Sequence, residues 1–243
     1  MTRDCGVVLV HGKWATQPFE HAPLAASLVA QGYAIREPVM PWALHRRYDR
    51  SFDRALEELE ESMAELRAAG CRQVIVCGHS LGACAALGLA ARGGNNIDGL
   101  VLLAPGHFPE RLAAQGLTTA SLARARQAFS TGETHRIALT DVNQGIVRRL
   151  RVGAAAWLSY FEPEGPAQWP ANARAMSTSV PTLVVTGCQE VPPPPGIDYA
   201  FGLMPHHPSS RYVEIDASHA DTPRHAAELV RDWMDTLEPD SPP

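Results

Sequence analysis

A serine in the first half of the chain lies in a setting that suits nucleophilic chemistry. Residues 78–82 read GHSLG, a G-x-S-x-G motif with Ser80 at its centre. An apolar, β-prone run precedes the motif at residues 74–77, and a run of small residues with helical character follows it at 83–91. A serine in a sharp turn between a strand and a helix has its hydroxyl raised above the sheet. The pattern predicts such a turn, a nucleophile elbow, with an ordinary strand–helix turn as the alternative.

Candidates for a base and an acid follow the serine along the chain. A serine hydroxyl needs a base to attack at neutral pH, and the base must be held in one tautomer by an acid. Glu190 follows an apolar strand pattern at 182–186, and His219 follows the last strand pattern, at 211–215. Of the ten histidines, only His219 follows a terminal strand in a loop of Ser, Ala and Asp residues. We therefore predict His219 as the base, in the order serine, acid, histidine.

Two carboxylates compete for the role of the acid. Glu190 has the expected position in the chain order. Asp221 is the weaker alternative, because it lies only two residues from His219 and its backbone restricts its reach to the imidazole Nδ1 atom.

A second loop is predicted to supply part of an oxyanion hole. The continuous apolar run at residues 6–10 is typical of a strand covered on both faces, and the loop HGKW follows it at 11–14. Ligands bind at the carboxyl ends of such strands. We predict the backbone N–H groups of Lys13 and Leu81 as the two oxyanion donors. The histidine that begins the loop is expected to brace it, and Trp14 is expected to form a wall of the substrate site.

Four further residues are predicted to line the substrate site. Trp42 lies on a loop at the same edge of the sheet as Ser80, and His79 lies beside the serine within the motif. Trp157 and Phe161 belong to a concentration of aromatic residues in a chain with only 7% aromatics. An apolar acyl pocket is one interpretation of these aromatics. Packing of the aromatic residues on one another is the other.

The strand and helix patterns alternate with short loops, which predicts an α/β fold with a mostly parallel sheet of about six strands flanked by helices. The amphipathic stripe at residues 51–69 is the clearest of the helix patterns. Residues 105–178 interrupt the alternation with several helical pieces and no strand pattern before Pro181. We therefore expect a core formed by residues 1–104 and 179–243, with a helical cap inserted between them.

The composition argues against a nucleic-acid partner. The formal net charge is -5, and no basic cluster is longer than the pairs Arg46–Arg47 and Arg148–Arg149, so nucleic acid is not expected to bind. Arg46 and Arg47 could bind an acidic substrate, although a position on the solvated surface is the simpler interpretation of both. The oligomeric state has no signature in the sequence.

The amino end and the cysteines bear on the cellular compartment. The apolar run near the amino end is too short for a secretory leader or a membrane span. We expect a cytoplasmic protein, although a mature secreted form would look the same. The five cysteines have scattered spacing, which is typical of neither a disulfide framework nor a metal site.

Four motifs carry a resemblance to the α/β-hydrolase superfamily over nearly the whole chain. They are VLVHG at residues 8–12, GHSLG at 78–82, PTLVVTG at 181–187 and SHAD at 218–221. The chain resembles a compact bacterial carboxylesterase or lysophospholipase-like member. The resemblance implies the α/β-hydrolase fold without the first two strands of the family sheet and with a helical cap after its sixth.

The resemblance also implies a role for each site residue. Ser80 would be the nucleophile, His219 the base and Glu190 the acid, with the N–H groups of Lys13 and Leu81 as the oxyanion hole. The family usually has aspartate where this chain has Glu190, so a longer side chain must be accommodated there.

These observations predict a serine hydrolase that cleaves a small-molecule carboxylic ester through an acyl-enzyme and needs no metal or organic cofactor. Two alternatives remain open. The same triad would serve a thioesterase, an amidase or an acyltransferase, and the fold also occurs in proteins that bind a ligand without turnover.

Overall fold

The computed structural model describes residues 3–93 and 96–237. The strands within these residues are β1 (Cys5–Val10), β2 (Ala34–Arg36), β3 (Gln73–His79), β4 (Gly99–Leu103), β5 (Ile137–Asn143), β6 (Ile146–Val152), β7 (Thr182–Gly187) and β8 (Arg211–Ile215). Six of them form one parallel sheet in the order β2-β1-β3-β4-β7-β8. The prediction of a mostly parallel sheet of about six strands is confirmed. Because the strands are parallel, their carboxyl ends meet at one edge of the sheet.

The helices are α1 (Ala22–Ala30), α2 (Phe52–Ala68), α3 (Leu81–Ala91), α4 (Pro109–Ala114), α5 (Thr119–Ser130), α6 (Ala154–Phe161), α7 (Trp169–Ala175), α8 (Thr222–His225) and α9 (Ala227–Asp235), with a short 3-10 helix at Phe201–Leu203. Within the described ranges, none of these helices combines the length and hydropathy needed to cross a membrane.

Apolar layers cover both faces of the sheet. In β1, Val8 and Val10 belong to the layer that also contains α2 and α3, whereas Val7 and Leu9 belong to the layer that contains α1 and α9. All four side chains are fully buried. Full burial of such a side chain stabilises a fold by about 1.5–3 kcal/mol. Burial on both faces explains why this strand is a continuous apolar run rather than an alternating pattern.

The segment 105–178 contains four helices, α4 to α7, and an antiparallel hairpin formed by β5 and β6. The expectation that this segment holds no strand is therefore wrong. The hairpin turn consists of Gln144 (φ 47°) and Gly145 (φ 74°). Both residues are left-handed, and a turn of two left-handed residues matches the twist of paired antiparallel strands. Sequence reasoning missed β5 because Asp141, a carboxylate, occupies one of its buried positions.

Candidate active site

Ser80 lies in the turn between β3 and α3. Its backbone has φ 56° and ψ -117°, a conformation that L residues adopt only when the surrounding structure enforces it. A Cβ atom on Gly78 would lie 2.2 Å from the carbonyl oxygen of Gly82, and one on Gly82 would lie 2.2 Å from that of Val10. Neither glycine position can therefore accept a side chain. The predicted strand–turn–helix context of the serine is present.

His219 and Glu190 form a direct hydrogen bond. The imidazole Nδ1 lies 2.6 Å from Glu190 Oε2, and Glu190 Oε1 accepts a hydrogen bond of 3.0 Å from the backbone N–H of Gly187. Both side chains are largely buried. Asp221 instead accepts a hydrogen bond from the Ser218 hydroxyl at 2.6 Å and is exposed. Glu190, and not the alternative Asp221, contacts the imidazole.

The hydroxyl of Ser80 and the imidazole of His219 face the same small space beside Gly106. A Cβ atom on Gly106 would lie 2.8 Å from Ser80 Oγ and 3.3 Å from His219 Cε1. Among the described residues, His219 Nε2 is buried and has no hydrogen-bond partner. In enzymes, the hydrogen bond between nucleophile and base often tightens only when substrate is in place. The missing side chain of Gly106 keeps this space open.

The two N–H groups predicted as oxyanion donors remain available. Leu81 is the first residue of α3, so its N–H has no acceptor within the helix. Lys13 lies in the loop after β1, and within the described part of the chain its N–H donates to no backbone carbonyl. A helix amino terminus also favours negative charge. Among the described residues, neither N–H has a backbone acceptor, which is what the predicted role requires.

Two buried histidines support the loops that carry these groups. His11 donates from Nδ1 to the carbonyl of Gly12 (2.8 Å) and accepts at Nε2 from the backbone N–H of Met40 (2.9 Å). His79 donates from Nε2 to the backbone carbonyl of His219 at 2.9 Å. Burial lowers the pKa of His11 to about 4 and the pKa of His79 to about 3. Both rings are therefore neutral at physiological pH and brace the two loops, as predicted for His11.

A buried carboxylate joins the oxyanion loop to the hairpin. Asp141 on β5 is fully buried and accepts from Lys13 Nζ at 2.8 Å, from the Trp14 indole at 2.7 Å and from the Tyr48 hydroxyl at 2.6 Å. Lys13 Nζ also donates to the carbonyl of Val142 at 2.9 Å. Three strong donors compensate for burial of the negative charge. The side chains of Lys13 and Trp14 are thus held by the inserted segment.

A cavity of about 280 Å³ has Gly106, the neighbour of Ser80 and His219, in its wall. Its walls include Gly106, Phe108, Leu112, Val147, Glu190 and Pro193. The walls are therefore mainly apolar and come from α4, the hairpin and the proline-rich loop after β7. Such a cavity suits an apolar substrate group held next to the nucleophile.

None of the five residues predicted to line the substrate site lines this cavity. Trp42, Trp157 and Phe161 are fully buried, and the rings of Trp157 and Phe161 stack with centroids 4.1 Å apart. Other side chains enclose these three residues in the structure. This arrangement agrees with the alternative interpretation, packing of the aromatics on one another. Trp14 and His79 are also buried and are held by hydrogen bonds to protein atoms.

Residues 7–236 match the family described as "Alpha/beta hydrolase family". The chain belongs to the alpha/beta hydrolase family. A search of the curated proteins found no match.

Solved structures with the alpha/beta hydrolase fold cover nearly the whole chain. A monoacylglycerol lipase from Paleococcus ferrophilus is 17% identical, with a TM-score of 0.69, and the match covers 98% of this chain and 96% of the lipase. Est1E from Butyrivibrio proteoclasticus, solved with ferulic acid, is 18% identical with a TM-score of 0.65 over 97% of this chain and 90% of that protein. A thioesterase domain from the curacin biosynthetic pathway is 21% identical with a TM-score of 0.58 over 94% and 90%. At these identities the similarity shows the fold.

Several residues of this alpha/beta hydrolase site were missed by sequence reasoning. They are Asp141, the cavity-lining residues Phe108 and Leu112, and the hairpin tip at residues 143–147. The one local signal for the hairpin was the alternation of buried positions at Ile137, Leu139 and Asp141. The carboxylate at the third position breaks the apolar pattern. No sequence pattern marks the others, because their position depends on how the inserted segment packs over the sheet.

We expect acid to destabilise this alpha/beta hydrolase through its buried histidines. Burial lowers the pKa of His11 to about 4, that of His79 to about 3 and that of His107 well below its usual value. An unfolded histidine has a pKa of about 6.5. Below that pH the unfolded chain binds protons that the folded protein does not, so the free energy of unfolding is highest above pH 6.5 and falls as the pH drops towards 4. Each group contributes up to about 1.4 kcal/mol per pH unit, or roughly 4 kcal/mol per unit for three.

The urea midpoint measured between about pH 7 and pH 5 checks this expectation. The midpoint should fall steeply, and His11→Gln should reduce the slope. The matched control is His135→Gln, since the His135 side chain is 73% exposed and should leave the slope unchanged. A midpoint independent of pH over this range would contradict the expectation.

Proposed function

We propose that this protein is a serine hydrolase that cleaves a small-molecule carboxylic ester through an acyl-enzyme intermediate. The observation that carries the proposal is the 2.6 Å contact between His219 Nδ1 and Glu190, while the opposite imidazole nitrogen has no partner among the described residues. That ring edge and the Ser80 hydroxyl both border Gly106. A base held in one tautomer beside a serine in a strained turn is the arrangement that acyl transfer needs.

The first half of the reaction forms the acyl-enzyme. Ser80 Oγ attacks the ester carbonyl carbon while His219 Nε2 takes the hydroxyl proton. Glu190 stabilises the imidazolium that results. The backbone N–H groups of Lys13 and Leu81 hold the oxyanion, and removal of one such donor typically costs about 10²–10³-fold in kcat. The carbon–oxygen bond then breaks, and the leaving alcohol takes its proton from His219.

The second half releases the acid. Water attacks the acyl carbon while His219 accepts its proton, and the second tetrahedral intermediate collapses with Ser80 as the leaving group. His219 returns the proton to the Ser80 oxygen, so the protein ends the cycle unchanged. Every proton in the cycle passes through one imidazole nitrogen.

The acyl group is proposed to occupy the cavity beside Gly106. The apolar walls formed by Phe108, Leu112 and Val147 favour a hydrophobic acyl chain. A monoacylglycerol lipase and a lipolytic enzyme among the structures of similar fold agree with an oxygen ester. The thioesterase domain with a similar fold leaves the thioester as the second candidate.

Hydrolysis of a series of p-nitrophenyl esters, from acetate upward, tests the proposal. We expect a chain-length optimum, because the cavity accepts only a limited apolar volume, and an initial burst of p-nitrophenol when deacylation is the slower step. The values of kcat/KM are then compared for the oxygen ester, the thioester and the anilide of the preferred acyl group, and they show which leaving group the protein prefers. Rates equal to those in buffer for every compound would refute hydrolysis of simple esters.

A further inference from the structure

Exposed large apolar side chains are concentrated around the mouth of the cavity. Within the described ranges seven such side chains occur: Val29, Leu117, Phe129, Ile146, Val147, Val191 and Ile197. Four of them form what we call the apolar rim: Leu117 (45% exposed), Ile146 (58%), Val147 (63%) and Val191 (80%). Leu117 and Val147 line the cavity, and the other two are chain neighbours of lining residues. Exposed apolar side chains grouped around one opening favour a surface that meets another apolar phase or partner.

A cluster of cations lies next to the apolar rim. The cleft beside the hairpin is lined by four arginines together with two leucines, and we call the arginines the arginine cluster: Arg47, Arg148, Arg149 and Arg151. Within the part of the chain that is described, none of the four lies within 4.0 Å of a carboxylate. The chain as a whole carries a formal charge of -5, so the local charge of this cluster is opposite in sign to the net charge of the chain. It favours an anionic partner.

The rim and the cluster share strand β6. Side chains alternate along a strand, so Val147, Arg149 and Arg151 lie on the same side of β6. Val147 lines the cavity mouth. This side of β6 therefore offers an apolar side chain at the opening and two cations beside it, whereas Ile146 and Arg148 lie on the other side. Apolar side chains next to cations are the combination that binds the boundary between lipid headgroups and acyl chains.

We propose that the apolar rim and the arginine cluster together dock the protein on an anionic lipid bilayer. The apolar rim surrounds an opening that leads to the space beside Ser80, and insertion of the rim would place that opening at the acyl layer. An apolar substrate would then pass from the bilayer into the cavity without crossing water. An acidic protein would satisfy the arginines but would leave the cavity mouth covered, so the bilayer is the better match. This docking goes beyond the proposed hydrolysis and does not require Ser80.

Vesicle sedimentation with the full chain tests the docking. Wild type and Ser80→Ala are compared on vesicles of phosphatidylcholine alone and of phosphatidylcholine with phosphatidylglycerol, at low and high salt. We expect both proteins to bind the anionic vesicles and to bind less at high salt. Because Ser80→Ala is included, loss of hydrolysis and loss of docking are observed separately.

Paired variants identify the surface. Arg149→Gln with Arg151→Gln should lower the partition coefficient roughly 30-fold, about fivefold for each arginine. Val147→Ser with Val191→Ser should lower it by about tenfold or more. The matched controls are Arg124→Gln and Phe129→Ser on α5, because both residues are exposed and Phe129 is 61% exposed, close to the value for Val147. These controls should bind like the wild type.

Four outcomes would overturn the proposal. The first three are no binding to anionic vesicles, equal binding to neutral vesicles, and equal losses of binding in the α5 controls. Retention of the chain by soluble polyglutamate without binding to vesicles would also overturn it, in favour of an acidic protein partner.

Discussion

Replacement of Ser80 by alanine is expected to lower kcat for the preferred p-nitrophenyl ester by at least ~10⁴-fold. Alanine keeps the Cβ atom that the turn already accommodates, but it removes the oxygen that forms the acyl-enzyme. The remaining rate would come from the oxyanion donors and from substrate binding alone. Initial rates, with a melting curve to show that the fold is retained, provide the measurement.

A second serine variant controls for Ser80→Ala. Ser62 lies in α2, outside the motif, and its hydroxyl donates to the Glu58 carbonyl at 3.0 Å. Ser62→Ala should keep nearly the full rate. A labelled fluorophosphonate should modify wild type and Ser62→Ala but not Ser80→Ala. More than about a hundredth of the wild-type rate in Ser80→Ala would contradict the assignment of the nucleophile.

Replacement of Glu190 by glutamine is expected to lower kcat by roughly 10⁴-fold with little change in KM. The glutamine NH2 group can donate to His219 Nδ1, which would force the imidazole proton onto Nε2, the nitrogen that must accept the proton of Ser80. The carboxylate that stabilises the imidazolium would also be lost. The value of kcat across the pH range where the protein is folded provides the measurement.

Asp221→Asn is the matched control for Glu190→Gln, because it makes the same chemical change at the other candidate carboxylate, two residues from His219. Asp221 accepts from the Ser218 hydroxyl and does not contact the imidazole. Its replacement should leave kcat within a few-fold of the wild type. Full activity in Glu190→Gln together with a large loss in Asp221→Asn would reverse the assignment of the acid.

The main sheet and the turn at Ser80 could be predicted from local sequence. Strands such as β1 are continuous apolar runs because both faces are buried, and this signal needs no knowledge of distant residues. Positions 78 and 82 are glycines because neighbouring backbone atoms come so close in the turn that a Cβ atom would collide with them. The edge that carries Lys13, Ser80 and His219 follows from the parallel order of the strands.

The walls of the cavity could not be predicted in this way. The sequence places Trp157 and Phe161 in an aromatic-rich segment, but whether such rings line a cavity or fill a core depends on contacts made far along the chain. Here they stack on each other and leave the lining to Phe108 and the hairpin. The partner of Asp141 is equally remote, since Lys13 lies 128 positions away.

The carboxylate of Asp141 makes the entrance to the cavity asymmetric. If the hairpin moved away from the sheet, the ammonium of Lys13 would lose its partner in a buried position, at a cost of several kcal/mol. This ion pair therefore ties the hairpin to the loop that carries the Lys13 N–H. On the opposite side, residues 191–197, which follow Glu190, carry no ionisable side chain, so no ion pair holds that stretch itself. Widening of the entrance for a large substrate would thus come from the side of that stretch, while the loop with the Lys13 N–H keeps its position.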